Sequence, residues 1–97
     1  MDPNYDPLDE TKVRPQVGFR LREGSYDYHE FASSLSERFL NYYDILLFGP
    51  ENGEVPGAVR FKWDTPSAVI DSATEWLRSQ SYVITVSPTY GGPIGAA

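Results

Sequence analysis

The sequence predicts an α+β domain, a two-layer ferredoxin-like βαββαβ sandwich with a four-stranded antiparallel sheet and two helices on one face. Two stretches carry this expectation. Residues 57–64 alternate Val59, Phe61 and Trp63 with Ala58, Arg60 and Lys62, and residues 17–22 alternate Val17, Phe19 and Leu21 with Gly18, Arg20 and Arg22. A period of two is the signature of a half-buried strand, so each stretch sends its apolar set inward and its basic set outward. The third observation is order: strand, helix, strand, strand, helix, strand. Right-handed crossovers then set the first and third strands side by side in the centre, with both helices on one face.

In chain order, residues 1–12 read as a flexible acidic arm, 13–88 as a single α+β domain, and 89–97 as a flexible Gly-rich tail. The first strand runs from 13 or 16 to 22 and stops at Glu23, Gly24 and Ser25. Asp27 with Glu30 three residues on forms a capping pair for a helix reaching about residue 42, striped by Tyr28, Phe31, Ala32, Leu35, Phe39 and Tyr42. Residues 44–48, almost wholly apolar and bounded by Gly49 and Pro50, read as a strand. A hairpin loop over 49–57, holding Asn52 and Gly53, returns the chain to the third strand. Thr65 is expected to cap a helix that starts at Pro66 and reaches about 80, with Val69, Ala73, Trp76 and Leu77 toward the core. The β-rich segment 81–87 completes the sheet, and Pro88 is expected to stop it.

Length and composition narrow the function. The 97 residues hold one modest core, and the absence of cysteine removes disulfides, thiolate metal sites and Cys nucleophiles together. It also fits a cytoplasmic location. No long apolar run or secretory leader is read, so no membrane role is expected. The net charge of −6 argues against broad nucleic-acid binding. Charge is segregated, however: residues 1–10 carry four acids and no base, residues 11–22 four bases and no acid.

The outward residues of the two central strands, Arg20, Arg22, Arg60 and Lys62, are the candidate anion- or partner-binding set, because like charges on adjacent strands call for compensation. An anionic partner would supply it, and so would the protein's own acids. On the helical layer Glu30, Glu37, Asp71 and Glu75 form a candidate acidic face for a basic partner. Apolar side chains on the outward side of the second strand add an exposed edge that invites another chain.

No enzyme is expected. His29 is the only histidine and lies in a helix's first turn, and the serines have no second histidine to activate them. Asp71 and Glu75 share a helix face without a further ligand, so neither a metal nor any cofactor is implied. The layout over residues 16–87 resembles the RNA-recognition motif. Where that family places outward aromatics this chain has Gly57, Ala58, Val59 and Arg60, so the stacking platforms are missing. Residues 16–20 and 57–60 are similar to the Gly-Val-x-Phe-Arg and Gly-x-Val-x-Asn segments of acylphosphatases, but Phe61 stands where that family's water-positioning Asn is required and the two segments lie too far apart along the chain.

The leading expectation is therefore a small acidic non-enzymatic protein-interaction domain. Its partner is another protein, a second copy through the sheet or edge strand included. One version is an inhibitor or adaptor acting on a nucleic-acid-handling complex, as small viral proteins can be. The alternative is single-stranded nucleic-acid binding through the basic open sheet face.

Overall fold

Alternation in the strands and a three-four stripe in the helices converge on one interior in the computed structural model, which describes residues 5–7, 9 and 11–93. Eight elements follow in order: β1 (Lys12–Val13), β2 (Gln16–Arg22), α1 (Tyr28–Arg38), β3 (Tyr42–Leu47), β4 (Glu54–Phe61), α2 (Ser67–Arg78), β5 (Val83–Thr89) and β6 (Gly92–Pro93). The main sheet is antiparallel with strand order β3-β4-β2-β5, so β2 and β4 are its centre.

Val17, Phe19 and Leu21 from β2 meet Val55, Val59 and Phe61 from β4 on one face, and Phe31, Leu35, Ile70, Ala73 and Leu77 close over them from the helices. Each fully buried side chain of this kind contributes about 1.5–3 kcal/mol. The Phe31 ring joins the layers, meeting Phe19 edge-on at 5.4 Å and stacking on Trp76 at 6.1 Å.

Several boundaries depart from the sequence reading, each for a local reason. α1 opens as expected, with the Asp27 carboxylate accepting from the Glu30 N–H at 3.0 Å. It ends at Arg38 rather than near residue 42, because Phe39 turns extended and packs edge-on against Phe61 while Tyr42 enters β3. β4 begins at Glu54, ahead of the expected Gly57. The connection needs only a tight turn in which Asn52 and Gly53 take positive φ (52° and 78°), closed by paired Glu51 and Glu54 amides.

Thr65 does not cap α2, since its hydroxyl turns back to the Lys62 carbonyl at 2.6 Å and Pro66 holds the cap position. The buried face of α2 is Ile70, Ala73, Thr74 and Leu77, rotated from the expected stripe so that Val69 and Trp76 are half-buried. Pro88 lies inside β5 instead of ending it; an edge strand can spare the missing N–H.

Trp63, expected inside the core, lies beyond the end of β4. Its ring meets Tyr5 at 6.2 Å and takes the Lys12 ammonium at 4.5 Å, while its backbone N–H donates to the Pro7 carbonyl. The same arm gives a hydrogen bond from the Tyr5 hydroxyl to Asp64, and β1 pairs with β6. The described part of the acidic arm is thus tied to the domain and to the chain's other end. Residues 1–4, 8, 10 and 94–97, where the remainder of the arm and tail readings falls, lie outside the described residues.

Candidate functional site

Pleating sends Gln16, Gly18, Arg20 and Arg22 of β2 and Pro56, Ala58 and Arg60 of β4 to the face opposite the helices. The antiparallel register then decides where charge falls. Arg20 stands across from Pro56 and Arg22 from Glu54, whereas Arg60 stands across from Gln16. Four residue steps separate the Arg20 and Arg60 rows, about 13 Å along the strands. Arg20, Arg22 and Arg60 therefore share a face but occupy its opposite ends, Arg20 and Arg22 near the Asn52 turn and Arg60 near the terminal arm, while Lys62 follows the end of β4 beside Arg60.

Two of them are matched by carboxylates. Arg60 donates from Nε to Asp44 at 2.7 Å and from Nη2 to the second oxygen at 2.5 Å, a two-pronged pair across the β3–β4 ladder. That hydrogen bonding raises the Arg60 pKa further above its ordinary value, against desolvation, which lowers it. The guanidinium also lies 5.8 Å from the Tyr43 ring. Arg20 stands 3.7 Å from Glu54 and 4.0 Å from Glu51, looser contacts between exposed groups. Arg22 and Lys62 make no ion pair among the described residues.

Between these charged ends the open face carries mostly small and apolar groups. Leu46, Ala58, Gly18 and Ser87 form one row, and Pro56 and Arg20 continue it toward Thr85. β3 borders this surface and carries its apolar weight. Leu46 and Phe48 are exposed on it at 37% and 58%, while Leu47, 36% exposed, shares the helical side with Ile45, which packs toward the core. Because the Phe48 N–H donates to Pro56, alternation turns the Ile45 and Leu47 amides away from β4, toward solvent.

The acidic set is spread along the helices. Glu30, Glu37, Asp71 and Glu75 are all exposed; Asp71 accepts from the Tyr90 hydroxyl at 2.5 Å and Glu75 stands 3.6 Å from Arg78. His29 meets Tyr28 edge-on in the first turn of α1. No group of three or more potential metal ligands occurs among the described residues, and no helix among them is long and apolar enough to cross a membrane.

Sequence reasoning missed Asp44 as the partner of Arg60. Its signal was present: it is the lone charge in an otherwise aromatic and apolar stretch from Tyr42 to Phe48. No family model matches the chain, and neither the curated proteins nor the solved structures contain a match to it.

Proposed function

We propose that this chain is a small non-enzymatic interaction domain of ferredoxin-like architecture whose partner is a second copy of itself, joined antiparallel along β3. The carrying observation is the chemistry of that edge. Outward amides at Ile45 and Leu47 offer ladder hydrogen bonds, and Leu46, Leu47 and Phe48 offer apolar surface beside them. The single charge on β3, Asp44, is already matched by Arg60 within the same sheet, so a two-fold pairing opposes no unmatched like charges. The helix acids Glu30, Glu37, Asp71 and Glu75 remain for a basic partner, which is where an inhibitor or adaptor role would reside.

Sedimentation velocity across a concentration series tests the pairing, with a monomer–dimer shift expected. Leu47→Pro removes an N–H that points away from β4, together with the Leu47 side chain, leaves the β3–β4 hydrogen bonds in place, and should give a monomer with unchanged far-ultraviolet circular dichroism. Phe48→Lys should do the same by placing a cation beside the seam. A native protein that stays monomeric at millimolar concentration would end this reading.

Single-stranded nucleic-acid binding is the alternative and ranks second, since Arg60 and Arg20 are engaged by acids. It would fall to Arg22 and Lys62, and the affinity should then show a shallow salt slope of about 1 to 2.

A further inference from the structure

A groove of about 750 Å³ opens on the helical side, between the end of α1 and one face of α2. Its α1 side comes from Arg38 and the Phe39-Leu40-Asn41 connection, and its α2 side from Ala68, Val69, Ser72 and Trp76. The volume is within the range of about 300–1,000 Å³ usual for small-molecule sites. Phe39, Val69 and Trp76 are only half-buried there, and Leu40 is 91% exposed, the most exposed large apolar side chain among the described residues.

The charge on the groove is equally uneven. The chain has fourteen acids and eight bases, yet no carboxylate lines this groove and one guanidinium does. Arg20, Arg60 and Arg78 each stand beside a carboxylate, whereas Arg38 has no ion pair among the described residues. Its guanidinium is held over the Trp76 ring at 5.4 Å. That contact positions the fork at the groove without consuming its hydrogen-bonding capacity.

We infer that this groove is a binding site for a small amphipathic monoanion, an aromatic or aliphatic carboxylate. The apolar body lies on Phe39, Leu40 and Val69, and the carboxylate accepts hydrogen bonds from Arg38. Asn41 and Ser72 stand on the same walls and supply further polar groups. Charge complementarity selects this occupant over a neutral apolar molecule, which would leave the guanidinium desolvated and unmatched.

Titration of the full chain with 1-naphthoate and, separately, the neutral 1-naphthamide, followed by amide nitrogen–proton NMR, tests the site. The carboxylate should bind roughly tenfold tighter than the amide, the discrimination expected of a charge-assisted hydrogen bond. Shifts should be confined to residues 38–41 and 68–76. Arg38→Gln should bring the two affinities together, and Ser72→Trp, at an exposed position, should block both ligands while leaving the remaining spectrum in place. Equal affinities for the native protein, shifts centred on β3, or no shifts with either probe would overturn the assignment.

Discussion

β3 and β5 both border the sheet, but only β5 is built like a boundary. β5 carries Pro88, a register shift against β2, and Thr85, Ser87 and Thr89 in the polar positions, with α2 packed beside it. β3 has its irregularity at one end, between Tyr42 and Asp44, and then runs regularly through Ile45, Leu46 and Leu47 with apolar groups on both sides. Proline, bulges and polar side chains are the ordinary means of closing an edge to further pairing. Position in the sheet therefore does not decide whether an edge is open; the residues placed on it do.

Two glycines offer the sharpest way to break the symmetry between the halves. At Gly57, facing β3, an added methyl would meet the Leu46 carbonyl oxygen at 2.6 Å and Leu47 and Phe19 carbons at 2.8 Å. Gly57→Ala should thus force β3 away from β4 and cost about 1–3 kcal/mol in chemical denaturation. At Gly18, the nearest atoms are the Ser87 carbonyl oxygen at 3.5 Å and the Gly57 carbonyl oxygen at 4.0 Å, ordinary contact. Gly18→Ala should stay within about 0.5 kcal/mol of the native protein. Equal costs would mean that the two sides are not packed differently.

Next in size is Asp44→Asn, which leaves the Arg60 fork, 19% exposed, without its carboxylate. Asp44 is itself 37% exposed, so solvent screens part of the loss and about 1–2 kcal/mol is expected. A double-mutant cycle with Arg60→Gln should recover most of that as coupling. Smaller still is Phe48→Lys, whose 58% exposure predicts a monomer stability change within about 0.5 kcal/mol even as association is lost.

The smallest effect concerns the arms. The Tyr5 hydroxyl is pushed above the ordinary value of 10.0 by desolvation and by its bond to Asp64, and the Tyr90 hydroxyl by its bond to Asp71 and by desolvation. A raised folded pKa means that these contacts add stability below pH 10 and lose it as pH climbs through the folded value. Tyrosinate absorbance should accordingly show late ionisation, and Tyr90→Phe should remove one group from that phase without shifting the acid side. Loss of stability starting below pH 9 in the native protein would contradict the assignment.

Period-two alternation at Val17, Phe19 and Leu21 and at Val59 and Phe61 made the central strands legible, because residues buried on one face leave no freedom of register. Asp27 made the start of α1 legible through a local hydrogen bond. What stayed hidden depends on distant partners. Phe39 and Tyr42 continue a helical stripe in the sequence, and only packing against Phe61 and pairing with β4 pull them out of the helix. Trp63 keeps the alternation of β4, yet it lies past the strand's end, where Tyr5 and Lys12 cover it. The cation set was visible residue by residue, but its division into two ends follows from register, and the matching of Arg60 from Asp44 on a neighbouring strand.

The short ladder between Lys12–Val13 and Gly92–Pro93 also governs how this domain can be joined to others. Because these two stretches lie side by side, the intervening eighty or so residues form a closed loop of chain that starts and finishes in one place. Such a unit can be spliced into a surface turn of a host protein without prising the cut ends apart. A covalent splice across that gap would also shrink the unfolded ensemble, at the loss of the contacts that Tyr5 and Pro7 make with Asp64 and Trp63.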